Sequence, residues 1–140
     1  MKSFILQRLR ESVDKPMKKK AVGVLIKCSE TGNVFLMLRN DKRPVWSLMS
    51  GGLKPDEDPM EGLIREIGEE LSIDASVIEF KKIRDEEREG EDTLFHYYEG
   101  CVKNEFTPKL DHENLEYIWV SKDKLPKPLF DGMKEKIDAI

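Results

Sequence analysis

Apolar and polar positions run along this chain in blocks whose period changes from strand to helix. Ala21–Cys28 (AVGVLIKC) is apolar on both alternating faces and rich in β-branched residues, which predicts a buried strand. Ser29–Asn33 (SETGN) has turn chemistry and Val34–Arg39 (VFLMLR) is apolar again, so the two runs predict a hairpin. Upstream, Glu11–Lys20 is polar, contains Pro16 and reads as a loop, while Met1–Arg10 fits either an edge strand or a short helix. Asn40–Pro44 reads as a loop, Val45–Met49 as a short strand and Ser50–Asp56 as a second loop around Gly51 and Gly52. Asp58–Leu71 then takes helical spacing, with Asp58 as N-cap, Pro59 in the first helical position and Glu61 three residues after the cap. Val77–Asp85 and Thr93–Val102 are strand-like about a charged turn (EEREGED), and Leu115–Val120 is a further strand. Leu129, Phe130, Met133, Ile137 and Ile140 recur at helical intervals. Strands in runs with two helices predict an α/β (α+β) domain, a mixed sheet with helices packed on it.

The length of 140 residues suits one domain over residues 1–140, with residues 1–20 as an N-terminal extension or edge element. No apolar run approaches the roughly 18 residues of a membrane span, and the start MKSFILQRLRES lacks a small-residue cleavage site. A cytoplasmic protein with two reduced thiols, Cys28 and Cys101, is therefore expected. Charge refines this picture. Met1–Lys27 carries eight basic residues against Glu11 and Asp14, a local +6, so the rest of the chain sums to −10 within the net −4. An acidic body disfavours long RNA, since such binding rests on neutralising phosphates; the basic arm keeps RNA possible. The apolar start Phe4, Ile5, Leu6 and Leu9 could cover a sheet edge or serve a homodimer.

Candidate chemistry concentrates in GGLKPDEDPMEGLIREIGEELSI, Gly51–Ile73. On a helix, Met60, Leu63, Ile64, Ile67 and Leu71 form one inward stripe, and Glu66, Glu69 and Glu70 share an arc beside it. Like charges at these spacings destabilise a helix by a few tenths of a kcal/mol per pair, about 0.2–0.5. The arrangement makes sense where a divalent cation neutralises the acids, and hard oxygen ligands suit Mg²⁺ or Mn²⁺ shared with substrate phosphates. A solvated acidic face is the other reading of the helix alone. An EF-hand fails, because Met60, Glu61 and Ile67 occupy positions where its loop needs a ligand, a Gly and a Glu.

The spacing of Gly51, Glu57, Arg65, Glu66, Ile67, Glu69, Glu70 and Ile73 resembles the Nudix box, G-x5-E-x7-R-E-U-x-E-E-x-G-U, with U a bulky aliphatic residue. The flanking strand order and Trp46 ahead of the glycines also look like the family, so the resemblance extends from Ala21 onward. Ser72 stands in place of the final Gly, which usually ends the helix in a left-handed conformation. Four residues, Leu53–Asp56, separate the glycine pair from Glu57 where five are common; Asp56 replaces a frequent Gly and Ser50 a frequent Pro.

The resemblance implies the Nudix fold, an α/β/α sandwich around a mixed β-sheet, and a metal-dependent hydrolase cleaving the pyrophosphate linkage of a nucleoside diphosphate derivative. It implies Glu66, Glu69, Glu70 and the Gly51 carbonyl as metal ligands for Mg²⁺, with Mn²⁺ as a substitute. Arg65 would brace Glu57 and Glu66 by charge-assisted hydrogen bonds. The general base is a helix glutamate such as Glu66 or a loop acid; Glu113 is the first loop candidate and Glu116 the second, with His112 beside them. Arg39, Lys42 and Arg43 are placed to meet distal phosphates, and Trp46, Phe95, Tyr97 and Tyr98 are candidates to stack on a base. Dinucleoside polyphosphates are slightly favoured as substrates. ADP-ribose, NDP-sugars and RNA 5′ ends stay open, as does a non-catalytic nucleotide sensor on the same fold.

Overall fold

The structure is a computed structural model and describes residues 19–88 and 92–140. The readings of Met1–Arg10 and of the apolar start fall outside the described residues. Strand β1 (Lys19–Cys28) forms the spine of a mixed sheet that has seven strands among the described residues. It turns through Gly32, at φ 76°, into β2 (Val34–Arg39), and Ile26 pairs with Phe35 in antiparallel register. Lys19 and Lys20 belong to β1, not to the expected loop, because Lys20 pairs with Leu94 of β6 (Thr93–Val102) in parallel register.

The short strand expected at Val45–Met49 divides into β3 (Trp46–Ser47) and β4 (Met49–Gly52). They part because β3 pairs with β2 while β4 crosses to β1, with Val22 opposite Gly51 and Gly23 opposite Ser50. The expected glycine loop therefore begins as a strand, which fixes Gly51 against the sheet. Helix α1 (Pro59–Leu71) follows, and Asp58 caps it by accepting from the Met60 and Glu61 N–H groups at 3.0 and 3.2 Å. Ser72 ends it in the left-handed region at φ 54°, ψ 40°.

A 3₁₀ turn (Ala75–Val77) replaces the start of the next expected strand, and β5 (Glu79–Arg88) runs three residues beyond the expected Asp85 to pair with β6. Among the described residues β5 is a sheet edge, and its Lys, Arg, Asp and Glu side chains discourage pairing with another chain. Strand β7 (Asn114–Val120) pairs with β2, and α2 (Met133–Ala139) closes the chain. The last helix is shorter than its periodicity suggested, since Leu129 is taken up by a bridge to Trp46.

Two apolar layers sandwich the sheet. Val22, Val24, Ile26, Phe35 and Met37 pack under Leu63, Ile67 and Leu71 of α1; Leu25, Leu36, Phe95 and Tyr97 pack against Met133 and Ile137 of α2. Burying each aliphatic side chain contributes about 1.5–3 kcal/mol, so both faces of β1 must be covered. This is the expected α/β/α sandwich around a mixed sheet. Both cysteines are free thiols, Cys28 buried and Cys101 exposed. No helix among the described residues is long and apolar enough to cross a membrane.

Candidate active site

Helix α1 does not present its faces as its wheel predicted. Ile64 is 48% exposed, whereas Glu66 and Glu70 are buried at 8% and 3%. The stripe rotates because β4 runs beside α1, so the side chain facing Gly51 is Glu66 rather than Ile64. Gly51 is needed here for space: a Cβ on it would lie 2.4 Å from the Glu66 carboxyl carbon. Glu69 turns outward, with 57% of its side chain exposed.

Arg65 organises the acids. Its Nε and Nη2 donate to the two Glu57 oxygens, both at 2.8 Å, in a bidentate pair. Nη1 donates to Glu66 Oε1 at 2.8 Å and to Glu69 Oε2 at 3.2 Å, and Nη2 also reaches the Gly52 carbonyl at 3.1 Å. Hydrogen bonds from Arg65 and from the Lys54 N–H hold the Glu57 carboxyl down to about 2. The shortened loop meets this geometry by placing Asp56 at φ 62°, where a glycine is more usual.

Glu70 has the opposite environment. Burial, reinforced by the nearby Glu66 and Glu113 charges, pushes its carboxyl up to about 8, against a hydrogen bond from Asn114 that favours the ionised form. Asn114 Nδ2 donates to Oε1 at 2.9 Å, while Oε2 is buried without a hydrogen-bond partner among the described residues. A buried orphan oxygen among acids costs free energy unless a cation meets it. The donor set of hard carboxylate oxygens beside a backbone glycine fits a divalent metal.

Glu113 reaches this place through an anchored loop. Trp119 Nε1 donates to the Phe106 carbonyl at 2.9 Å, and the Phe35, Phe106 and Trp119 rings pack with centroids 4.9–5.1 Å apart. The loop then crosses the end of α1, where Lys109 and Asp111 N–H groups donate to the Leu71 and Glu70 carbonyls at 2.9 and 3.3 Å. Carboxylate oxygens of Glu70, Asp111 and Glu113 consequently lie within 4.8 Å of one another.

A cleft of about 690 Å³ opens over this corner, lined by Gly51, Gly52, Arg39, Glu113, Arg88 and Phe130 among others. Arg39 Nη1 donates to Ser50 Oγ at 3.2 Å and its Nε pairs with Asp41 at 3.3 Å. At the other end the Arg88 guanidinium sits 4.1 Å from the Phe95 ring centroid and 5.2 Å from that of Phe130. Its volume lies within the range of ligand pockets, about 300–1,000 Å³.

Several expected contacts are not made. Tyr97 is 1% exposed in the α2-side core and cannot stack on a base; Tyr98 is likewise buried, and Phe95, also buried, borders the cleft beneath the Arg88 guanidinium. Trp46 is half-buried against the same core, its backbone N–H donating to the Pro128 carbonyl at 2.8 Å, and it does not line the cleft. Arg43 is exposed and also lies outside the cleft lining. Arg88, Phe130, Asp111 and Asn114 were missed. The first two meet only through sheet topology, but the Asp111-x-Glu113 pattern before a strand is a readable Asx-turn signal, and Asp111 Oδ1 does accept from the Glu113 N–H at 3.1 Å.

A cleft floored by paired glycines and flanked by an Arg-braced acidic helix defines a class: hydrolases of phosphoanhydride bonds on an α/β/α sandwich. The chain belongs to the Nudix family, the NUDIX domain model matching residues 17–140. It is 28% identical over 96 residues to the CTP pyrophosphohydrolase of Escherichia coli (strain K12), covering 66% of this chain and 70% of that one. It is 30% identical over 119 residues to the dihydroneopterin triphosphate diphosphatase of Haemophilus influenzae, covering 74% and 75%. The crystal structure of a C. elegans Ap4A hydrolase binary complex superposes with a TM-score of 0.62 at 22% identity, covering 75% of this chain and 81% of that one. The protein is thus an enzyme that hydrolyses pyrophosphate bonds. Nudix hydrolases use a divalent metal, and the acidic cluster is compatible with one.

Proposed function

We propose that the chain is a Mg²⁺-dependent pyrophosphohydrolase of a small nucleotide-like triphosphate, with Mn²⁺ as a substitute. The observation that carries the metal dependence is the buried Glu70 Oε2, without a hydrogen-bond partner among the described residues, beside Glu66 and Glu113. In this reading Glu66, Glu69, Glu70 and the Gly51 carbonyl hold the cation. The bound cation supplies charge neutralisation on the phosphoryl oxygens and a more acidic water.

The chain's own groups do the rest. Arg65 fixes the Glu57 and Glu66 rotamers, so the ligand oxygens are set before substrate arrives. Glu113 takes a proton from water as its oxygen bonds to phosphorus, and the bridging P–O bond breaks to release pyrophosphate and a monophosphate. Glu66 is the alternative base. Arg39 meets the distal phosphates, while Phe130 and Arg88 receive the ring system.

Among the described residues one aromatic–cationic wall, at one end of the cleft, supports a substrate with one base. The two curated relatives named for triphosphates support the same reading. Dinucleoside polyphosphates are the second reading, supported by the Ap4A hydrolase neighbour. The test is product analysis in Mg²⁺ with NTPs, dihydroneopterin triphosphate, diadenosine polyphosphates, ADP-ribose, NDP-sugars and 5′-triphosphorylated RNA. Monophosphate and pyrophosphate from a triphosphate support the proposal. Preferred cleavage of a diadenosine polyphosphate moves the assignment to the second reading, and ligand-induced stabilisation without turnover points to a sensor.

A further inference from the structure

Arg39 stands between the cleft and the acidic corner. It walls the cleft beside Gly51 and Glu113, and it also walls a small cavity of about 20 Å³ with Ser50, Glu70, Glu113 and Asn114. A guanidinium that shares a cavity with two carboxylates is drawn to pair with them. Such pairing would neutralise the acids of the cation site and take the guanidinium away from substrate phosphates. Among the described residues Arg39 pairs with neither acid; its ion pair is with Asp41, Nε to Oδ2 at 3.3 Å.

Local features set this direction. The β2–β7 ladder shifts register between Leu38 and Arg39, and such an irregularity re-aims the side chain beside it. The backbone around it is fixed, since the Arg39 N–H donates to the Val45 carbonyl at 3.3 Å and the Asn40 N–H to the Glu113 carbonyl at 2.9 Å. Ser50 then supplies an acceptor, its Oγ taking a hydrogen bond from Arg39 Nη1 at 3.2 Å. Ser50 lies in β4 opposite Gly23 of β1, so the acceptor stands on a paired strand and not on a loop. Proline, frequent at this position ahead of the glycines, has no side-chain oxygen, so the motif does not foretell the bond. We propose that Ser50 is a positioning residue, holding the Arg39 guanidinium away from Glu70 and Glu113 and toward the distal phosphates of the substrate. Asp41 takes Nε and Ser50 takes Nη1, which among the described residues leaves Nη2 for phosphate oxygens. The inference rests on the reading of the chain as a pyrophosphohydrolase in which Arg39 meets those phosphates.

The probe is inorganic pyrophosphate, the distal pair of phosphates on its own, bound to the full chain in Mg²⁺ and followed by calorimetry. Ser50→Ala is expected to weaken its binding by about fivefold, the weight of one net hydrogen bond. The KM of the preferred triphosphate should rise by a similar factor, with kcat within about twofold. Ser50→Thr keeps the oxygen and is expected to bind as the wild type does. A residue that acts through Arg39 has no effect once Arg39 is gone, so Ser50→Ala in an Arg39→Ala background should cost less than about twofold. Wild-type pyrophosphate affinity in Ser50→Ala, or the same loss with and without Arg39, overturns the proposal, as does a wild type that binds no pyrophosphate. Should Ser50→Ala fail to fold, Ser50→Val and Ser50→Thr make the comparison, being alike in shape and unlike in the oxygen; equal affinity in the two overturns it. Turnover is read separately: triphosphate hydrolysis by the wild type with Ser50 and Arg39 uncoupled sinks this inference alone, whereas pyrophosphate binding without hydrolysis of any substrate sinks the hydrolase reading.

Discussion

Glu57 and Glu70 lie close along the sequence and are pushed in opposite directions, one to about 2 by Arg65 and the other to about 8 by burial. The consequences for stability have opposite signs. Glu57 binds its proton less tightly folded than unfolded, so its contribution is present above the ordinary value of 4.5 and fades as pH falls toward about 2. Glu70 binds its proton more tightly when folded, so the metal-free fold loses stability as pH rises from 4.5 through about 8. Thermal melts in EDTA between those limits should show that decline in the wild type and a flatter profile in Glu70→Gln, whose metal-free midpoint at pH 8 should be the higher. An equal decline in both would mean that Glu70 is not its source. Arg65→Lys keeps the charge but not the two-pronged bond to Glu57. It should lower metal affinity or kcat by about 10–100-fold with the fold intact by circular dichroism. Asp58, Pro59 and Arg65 were legible because their partners lie within a few turns of chain. The burial of Glu66 and Glu70 was not, because a helical wheel treats glutamate as surface and cannot see the strand beside it.

Among the elements, α1 carries most of the site and its ends decide its position. Ser72 holds the left-handed cap that usually falls to glycine, and its N–H still donates to the Gly68 carbonyl at 3.2 Å. Ser72→Gly relieves a strain of about 1–2 kcal/mol but restores glycine's freedom to the unfolded chain. The net gain should be about 0.5 kcal/mol in denaturant unfolding, with kcat unchanged because the cap touches none of the acids of the site. A fall in kcat would show that the helix end also sets the position of Glu70. Strand β4 was hidden in the sequence: MSGG has no strand-like alternation, and only its pairing with Ala21–Val24 makes it one. The loop that delivers Glu113 was legible through family resemblance, but its anchoring by Phe35, Phe106 and Trp119 spans positions far apart in the chain.

At the scale of the whole molecule, the sheet buries aromatics on both faces, and this removes Tyr97 and Tyr98 as platforms for a base, while Phe95 borders the cleft only beneath Arg88. A strand's alternation says which residues share a face; it does not say whether a helix will cover that face, and here α1 and α2 cover both. Phe130 and Arg88 line the cleft; on the proposed reading they receive the ring system, so Phe130→Ala should raise KM by about tenfold with little change in kcat, since a stacked ring is worth about 0.5–1.5 kcal/mol. An unchanged KM would put the ring elsewhere. The central claim is that the buried acidic face of α1 holds a divalent cation for cleavage of a pyrophosphate bond. Its most direct test is hydrolysis of the preferred triphosphate in Mg²⁺, comparing wild type with a folded Glu70→Gln and each with EDTA. The account predicts EDTA-sensitive turnover in the wild type, reduced by at least about 10²-fold in the variant, the scale at which lost charge stabilisation acts. Turnover in Glu70→Gln at the wild-type rate would contradict it.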